Sequence, residues 1–409
     1  MLFATLSNQT KNNLLIANIR YNLLMSKLIS QKKIKVAWFA SGFIGRNAAG
    51  TAQVAKKTIS NLILNHANEV QVVLIAKTKS EVDLIRNEKL YSDLEVILLP
   101  RVYGNKFRSS RQFYKFCILK RKFRIDILHY SVPRVYPFFY AFPAKKIICT
   151  FHAGGDITAL GDKIILSRKI YNYIAKKQWR KFAAIVAVSE FGATEISAAY
   201  NIPLKFISTV HNGADSLWGK FDESMDKDLD LVLIIGRWQT YKNLHTVISA
   251  FKKYEIPNNR NLKLKVIGKS VLKENKLILD ALEGFPKSQI ELIEYLSDSD
   301  LAKEYRKASV VFHPSINEGF GLPAFEAFGE GSRVIAHIGT PASQILDSQE
   351  GVLFNNLNDE TKVIESYRKI LNQNFGDVFQ RRLFIESINA TWELSTKKYV
   401  EIYRKVLGL

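Results

Sequence analysis

The chain has 409 residues and a formal net charge of +21 at pH 7. Its length exceeds what one ordinary hydrophobic core supports, so we expect two domains. With a mean hydropathy of -0.06 and no run of about 18 apolar residues, the sequence excludes a membrane-spanning helix. Cys117 and Cys149 are the two cysteines, which excludes a disulfide framework and favours a reducing cytoplasm.

The positive charge predicts an anionic partner, which could be a nucleotide, a nucleic acid, an anionic polymer or a membrane surface. A basic surface that serves solubility alone is the alternative. Residues 1–33 lack a long apolar run and a small-residue cleavage site. We therefore expect an N-terminal extension of unknown role there, and not a signal peptide.

Strands and helices alternate from Ile34 onward, which predicts a doubly wound α/β domain with a parallel sheet. A glycine loop and a helix over 52–64 follow the first strand, and Ser189 is expected to cap a later helix. The predicted strands are 34–40, 70–76, 94–99, 125–130, 146–151, 183–189 and 205–210.

The alternation restarts after a polar stretch at 218–227, which we expect to link two domains. The predicted boundaries are 34–215 for the first domain and 216–392 for the second. Two such domains place a ligand in the cleft between the carboxyl ends of both sheets. The second domain is predicted to contain strands at 230–236, 262–268, 290–295, 308–312 and 333–336, and helices at 243–254, 273–282, 297–307 and within 362–409.

The segment Phe312–Gly331 has the sequence F-H-P-S-I-N-E-G-F-G-L-P-A-F-E-A-F-G-E-G. It predicts a glycine-rich loop and then a helix from Leu322, with Pro323 in its first turn. Free N–H groups at a helix N-terminus suit a phosphate, and the carboxylates of Glu318 and Glu326 suit sugar hydroxyls. The segment predicts a site for a ligand with both groups; a tight turn with solvent-facing acids is the alternative.

Arg237 and Lys242 follow the strand at 230–236 in the segment G-R-W-Q-T-Y-K-N. A planar guanidinium and a compact ammonium are suited to clamping a diphosphate. Cations are unfavourable at a helix N-terminus unless an anion lies there, so we favour this role over two solvated side chains.

His152 and Asp156 lie in T-F-H-A-G-G-D, directly after the strand at 146–151. His152 could hydrogen-bond a sugar hydroxyl or handle a proton, and Asp156 could hold the imidazole or bind an acceptor hydroxyl. A purely structural histidine is the alternative.

The loop A-S-G-F-I-G after the first strand approximates a dinucleotide fingerprint, but Ala40 replaces its first glycine. The second strand ends in K-T-K, without the acid that would hold a ribose. The pattern therefore argues against NAD(P) and leaves Gly42 and Gly45 as points where the backbone can approach a phosphate or sugar.

The segment Lys106–Arg124 has eight basic residues and no acid. Phe113, Phe116 and Cys117 fall on one helical face within it, which predicts a helix lying on an anionic membrane. A core-facing helix with a solvated basic face is the alternative. No nucleic-acid-binding motif accompanies the charge, so no nucleic-acid partner is expected.

Taken together, these motifs resemble glycosyltransferase family 4, the retaining nucleotide-sugar transferases of GT-B fold. The resemblance rests on H-N-G-A-D, G-R-x4-K-N, K-V-I-G, H-P-S-x2-E-G-F-G-L-P-x2-E-A and T-W-E-L-S-x3-Y, and more loosely on T-F-H-x-G-G-D. The spacing of Glu318 and Glu326 matches the paired-glutamate motif of the family. The sequence departs from the family pattern in S-G-F-I-G, at Ser332-Arg333 and at Gln344.

The resemblance implies a role for each matching residue. Glu326 would bind the ribose, Glu318 the donor sugar, and Arg237 with Lys242 the departing diphosphate. His152 would touch the donor sugar, and the C-terminal helix at 393–409 would cross back and join the first domain. The backbone N–H groups of Gly319, Phe320, Gly321 and Leu322 would bind phosphate and donor sugar. Gly42 and Gly45 would leave room for the acceptor or the diphosphate.

We therefore expect a cytoplasmic, metal-independent, retaining hexosyltransferase without a cofactor. It would transfer sugar from a nucleoside diphosphate to a polysaccharide or lipid-linked oligosaccharide in cell-surface glycan biosynthesis, attached peripherally to the inner membrane face. A non-catalytic GT-B-like scaffold that binds a partner or membrane is the alternative, and an NADP oxidoreductase is a third interpretation.

Overall fold

The computed structural model describes residues 33–40, 50–99, 124–131, 144–152, 177, 179–219, 226–268 and 276–409. The predictions for the N-terminal extension, for Gly42, Gly45 and Asp156, and for all but the last residue of Lys106–Arg124 lie outside the described residues.

The first sheet has seven parallel strands in the order β3-β2-β1-β4-β5-β6-β7. This order reverses direction between β1 and β4, as in doubly wound nucleotide-binding folds. The strands are β1 Ile34–Phe39, β2 Val70–Ala76, β3 Glu95–Leu98, β4 Ile125–Ser131, β5 Ala144–Phe151, β6 Ala184–Ala187 and β7 Ile207–Thr209; the helices are α1 Gly50–Asn65, α2 Lys79–Asn87 and α3 Glu190–Tyr200.

The second sheet has six parallel strands in the order β10-β9-β8-β11-β12-β13 and reverses between β8 and β11. Its strands are β8 Asp228–Ile235, β9 Lys263–Ile267, β10 Ile290–Ile293, β11 Ala308–His313, β12 Arg333–His337 and β13 Val352–Asn355. Its helices are α4 Leu244–Tyr254, α5 Lys276–Leu282, α6 Asp298–Lys307, α7 Leu322–Gly329, α8 Pro341–Ile345, α9 Glu360–Leu371 and α10 Val378–Ser387, and α11 Trp392–Leu407 ends the fold.

Both faces of the second sheet are covered, which is why its central strands are continuous apolar runs. Along β8, Val232 and Ile234 pack into one core cluster with Phe251 of α4. Leu233 and Ile235 point to the opposite face and pack with Phe325 and other residues of α7. The α/β class and the two doubly wound sheets predicted from the sequence are thus confirmed.

The last helix, α11, returns to the first sheet. Tyr399, Val400 and Tyr403 are buried in the core cluster that contains residues of β1, β2 and β4, and the Thr396 hydroxyl donates to Asn61 Oδ1 of α1 at 2.8 Å. This packing satisfies the apolar stripe of α11, which would otherwise face water.

Gly213 lies where the segment after β7 passes the start of α11. A Cβ at this position would lie 2.3 Å from the backbone nitrogen of Trp392, so a larger residue has no room. Asp215 Oδ1 accepts a hydrogen bond from that same nitrogen at 2.8 Å, and Ala214 N donates to Ala390 O at 2.7 Å. The H-N-G-A-D motif therefore joins two chain segments.

Several element ends differ from the sequence prediction. The expected strand at 205–210 begins as a 3₁₀ turn, Leu204–Phe206, and only Ile207–Thr209 pairs with β6. The short helix α8 and the strand β13 were not predicted, because elements of four or five residues carry little periodic signal. Among the described residues, no helix combines the length and apolar character that crossing a membrane requires.

Candidate functional site

The loops that follow β8 and β11 leave the same edge of the second sheet, on either side of its reversal point. β8 and β11 are direct neighbours, with Ile234 paired to Phe312. The backbone N–H of Ile316 donates to the Tyr241 carbonyl at 3.0 Å and ties the two loops together. In open α/β sheets this crevice is where ligands bind, so the two sequence motifs converge on one site.

Lys242 and Glu318 meet in this crevice. The Lys242 ammonium donates a hydrogen bond to Glu318 Oε1, and both side chains are largely buried. His313 Nε2, at the end of β11, lies 3.3 Å from the same oxygen. Burial alone would raise the pKa of the Glu318 carboxyl, but the neighbouring Lys242 ammonium and His313 ring outweigh it and hold that pKa well below its usual range. Glu318 is therefore a carboxylate at neutral pH.

Arg237 begins the same loop, directly after β8 and Gly236. Its guanidinium has no hydrogen bond or ion pair within the described ranges. Gly236 and Gly268 let the ends of β8 and β9 approach closely, because a Cβ on Gly268 would lie 2.0 Å from the Gly236 carbonyl oxygen. Among the described residues, Lys242 is thus engaged by a carboxylate, whereas Arg237, on the same loop, has no ionic partner.

The N-terminus of α7 completes the edge. Gly321 precedes the helix with φ of 90°, a left-handed conformation that glycine adopts without strain, and no side chain caps the helix. The ring of Phe320 stacks on the ring of Phe325 with centroids 4.5 Å apart, which anchors the loop on helix α7. An uncapped helix start leaves backbone N–H groups for an anionic ligand.

Glu326 lies one turn into α7. Tyr305 of α6 donates a hydrogen bond to its Oε2 at 3.4 Å. Burial and the negative charge of Asp298 raise the pKa of Glu326 to about 7, against the opposing effects of Lys57 and Tyr305. Near pH 7 the Glu326 carboxyl group is therefore present in both its ionised and its protonated form.

His152 lies on the first sheet, at the end of β5. Its Nε2 and the hydroxyl of Ser131, which ends the neighbouring strand β4, share a hydrogen bond of 2.7 Å. Burial lowers the pKa of His152 to about 4, so the ring is neutral at pH 7. Its Nδ1 is buried and has no hydrogen-bond partner among the described residues. A neutral imidazole with one free nitrogen can exchange a hydrogen bond with a ligand hydroxyl.

Three residues of the site were not predicted from the sequence: His313, Tyr305 and Ser131. His313 stands inside the quoted F-H-P-S motif, at a strand end, and that position was the available signal. Nothing in the sequence marked Tyr305 or Ser131, because each reaches the site from a different strand or helix. Sequence periodicity alone does not show such pairings.

The departure at Ser332-Arg333 has a structural explanation. The Ser332 hydroxyl donates to the Tyr305 carbonyl inside the core. Arg333 Nε donates to the Gln373 carbonyl at 2.8 Å, and its guanidinium lies 3.9 Å from the centre of the Phe375 ring. Both residues therefore hold the amino edge of β12, at the opposite end of the strand from the crevice.

Within the part of the chain that the structure describes, no group of three or more His, Cys, Asp or Glu side chains is arranged to hold a metal ion.

Two doubly wound α/β sheets in one chain define the GT-B fold, which is found among glycosyltransferases. Solved structures with this fold cover 92% of the chain. They include a glycosyltransferase from Rickettsia africae, with a TM-score of 0.66, 18% identity and 99% of its own chain covered. Another is the sucrose-phosphate synthase of Thermosynechococcus elongatus, with a TM-score of 0.68, 15% identity and 100% covered.

Family models identify both halves of the chain. The model described as Glycosyltransferase Family 4 matches residues 58–216, and the one described as Glycosyl transferases group 1 matches residues 220–385. The chain belongs to glycosyltransferase family 4 and is a glycosyltransferase.

The relatives of this chain include bacterial mannosyltransferases of the O-antigen. The O-antigen chain mannosyltransferase RfbU of Salmonella typhimurium is 24% identical over 309 residues, which is 69% of this chain and 79% of that protein. The O-antigen chain mannosyltransferase B of Escherichia coli is 21% identical over 231 residues, 54% of this chain and 60% of that protein. The chain spans 30% of the length of the serotype-specific mannosyltransferase WbdA of Escherichia coli.

Proposed function

We propose that this glycosyltransferase transfers a mannosyl residue, with retention of configuration, from a nucleoside diphosphate to a growing surface polysaccharide or its lipid-linked precursor. The contact between Lys242 and Glu318 beside the uncapped start of α7 carries this proposal, because it puts a cation for phosphate and an acceptor for sugar hydroxyls side by side. The choice of mannose and of this acceptor is supported by the names of the two O-antigen mannosyltransferases.

Donor binding would exchange the partners of Lys242. The diphosphate would take the ammonium together with the Arg237 guanidinium and the backbone N–H groups from Gly319 to Leu322. Glu318 would then be released toward the hydroxyls of the donor sugar. Lys242 and Glu318 are already removed from water in the free enzyme, because they are paired and largely buried. Binding the donor therefore does not have to desolvate either charge.

Glu326 would accept hydrogen bonds from the ribose hydroxyls. It lies one helical turn beyond the phosphate-binding end of α7, so a single helix would hold both the ribose and the phosphate of one nucleotide. Tyr305, which already donates to Glu326, would fix the direction of its carboxylate.

Cleavage of the sugar–phosphate bond would leave charge on the departing diphosphate. Fixed cations and helix N–H groups stabilise that charge, so the reaction would need no metal ion or cofactor. The acceptor hydroxyl would attack on the same face as the departing diphosphate and give its proton to that diphosphate, so configuration would be retained through an oxocarbenium-like sugar. His152 would hydrogen-bond the sugar from the opposite wall. Gly42 and Gly45 would leave room for the diphosphate or the acceptor, and Asp156 would bind an acceptor hydroxyl or hold the imidazole.

The domain boundaries that we propose are 34–215 with 393–409, and 216–392; the packing of α11 on α1 and β4 supports them. We also propose a cytoplasmic enzyme attached to the inner membrane face through the basic segment Lys106–Arg124. A non-catalytic scaffold is the competing function, but a scaffold has no use for a buried, paired Lys242 and Glu318 in a ligand crevice.

Transfer should be tested with purified protein, a panel of UDP-, GDP- and dTDP-sugars that includes GDP-mannose, and a polyprenyl-linked oligosaccharide acceptor. We expect one donor to be used best and the anomeric configuration of the product, read by NMR, to match that of the donor. Glu326→Ala should abolish nucleotide binding, whereas Glu291→Ala, an exposed acid of β10, should leave it unchanged. Absence of binding and transfer across the panel would favour the scaffold.

A further inference from the structure

A serine of the first sheet reaches the glycine loop of the second. Ser189 follows β6 and is buried, with 1% of its surface exposed. Its hydroxyl donates to the carbonyl oxygen of Gly319 at 2.7 Å, across 130 residues of sequence. Gly319 belongs to the loop Gly319–Leu322 whose N–H groups we assign to the donor.

The hydroxyl of Ser189 is engaged on both sides. It accepts from the backbone N–H of Gly192 at 2.9 Å, which caps α3, so its single proton is given to Gly319. Because a peptide group is planar, fixing the carbonyl of Gly319 also fixes the direction of the Phe320 N–H. The serine therefore sets the orientation of one amide that would face the donor phosphate or sugar.

The surroundings show that this bond lies inside a joint between the two sheets. Val188, the neighbour of Ser189, is buried in the core cluster that contains Phe320 and Phe325. His211 contacts Phe320 with ring centroids 5.5 Å apart, and its Nε2 pairs with Glu190 at 2.8 Å. A Cβ on Gly192 would lie 3.1 Å from the Ser189 hydroxyl oxygen, so glycine at this position leaves room for Ser189 to contact Gly319.

We propose that Ser189 is a positioning residue for donor binding: the first sheet uses its hydroxyl to hold the Gly319–Leu322 loop in the form that binds the nucleotide sugar. The inference rests on the proposed function. If Ser189 has this role, residues of both sheets form the donor site. Among the hydrogen bonds described, the second sheet alone provides no partner for the Gly319 carbonyl.

The test compares variants that keep or lose each half of the serine's role. Ser189→Gly retains a tolerable helix N-cap but has no hydroxyl, and Ser189→Asp retains an acceptor for Gly192 but has no proton for Gly319. Ser189→Thr retains both. Thr78→Gly is the matched control, because Thr78 caps α2 by accepting from Glu81 N and does not contact the loop.

We expect Ser189→Gly and Ser189→Asp to lower kcat/KM for the best donor of the panel about tenfold, mainly through a higher donor KM. This is the effect expected from losing one buried hydrogen bond. Ser189→Thr should restore it, and the melting temperature of Ser189→Gly should fall no further than that of Thr78→Gly. Equal donor KM in wild type, Ser189→Gly and Ser189→Asp would overturn the inference. Failure of the proposed function looks different, because then the wild type itself would neither bind nor transfer any donor.

Discussion

The ammonium of Lys242 and the carboxylate of Glu318 are hydrogen-bonded to each other, although they lie on loops that follow two different strands. Their side chains are 14% and 15% exposed, so water contributes little to solvating either charge. Each charge therefore depends on the other until a ligand takes over.

Removing the cation should destabilise the protein. Lys242→Ala leaves the Glu318 carboxylate buried without its partner, and we expect the free energy of unfolding to fall on the order of 3 kcal/mol. The low pKa of Glu318 means that its contribution is present above the ordinary carboxyl pKa and is lost as the pH falls. Urea denaturation at pH 7 measures this loss.

Lys253→Ala is the control, because Lys253 pairs with Glu360 on the exposed surface, where ion pairs contribute little. Its unfolding midpoint should match the wild type. The double variant Lys242→Met with Glu318→Gln should recover part of the stability, since no unpaired buried charge remains. A Lys242→Ala protein as stable as Lys253→Ala would show that the pair is solvated.

The pKa of Glu326, raised to about 7, predicts a pH-dependent affinity. Ribose hydroxyls donate to the ionised carboxylate, so below pH 7 the protonated acid must lose its proton before binding. Because the free-state pKa is raised and the bound state is ionised, affinity falls as the pH falls. We expect the nucleoside diphosphate product to bind about tenfold more weakly at pH 6 than at pH 8.

Calorimetric titrations from pH 6 to pH 8 test this dependence. Glu326→Gln should bind more weakly at pH 8 and show only the pH dependence that the phosphate of the ligand itself brings. Identical pH profiles for wild type and Glu326→Gln would exclude Glu326 from nucleotide binding.

Tyr403 of α11 secures the return of the last helix to the first sheet. Its hydroxyl lies 2.6 Å from Nδ1 of His129 in β4, while His129 Nε2 bonds the Thr150 hydroxyl at 2.7 Å. Tyr403→Phe leaves a buried ring nitrogen without a partner and should reduce the free energy of unfolding by about 2 kcal/mol. Tyr295 is 71% exposed, so Tyr295→Phe should leave the free energy of unfolding unchanged. Thermal and urea unfolding measure both variants.

The basic segment 106–124 predicts binding to anionic membranes. Vesicles with phosphatidylglycerol should retain the wild-type protein in a sedimentation assay, and neutral phosphatidylcholine vesicles should not. Replacing Lys120, Arg121 and Lys122 by Glu should release it. Retention of this variant at the wild-type level would place the membrane contact elsewhere.

The sequence by itself predicted the fold class because strand and helix periods alternate over long segments, and burial on both faces makes each central strand a continuous apolar run. It predicted the strand β2 with its ends and the cap Ser189, since cap chemistry is local. It also showed that Arg237, Lys242, Glu318 and Glu326 belong to loops at strand ends or to the helix that follows, because motif and strand adjoin in the chain.

Only the tertiary structure decided which of these groups touch. The pairing of β8 with β11 brings Lys242 onto Glu318, so a cation expected to await a phosphate is held by a carboxylate instead. The same is true of Ser189, which the sequence marks as a helix cap and the fold turns toward Gly319. Such contacts depend on strand order and on how the sheets meet, and these are long-range properties that no local pattern of residues carries.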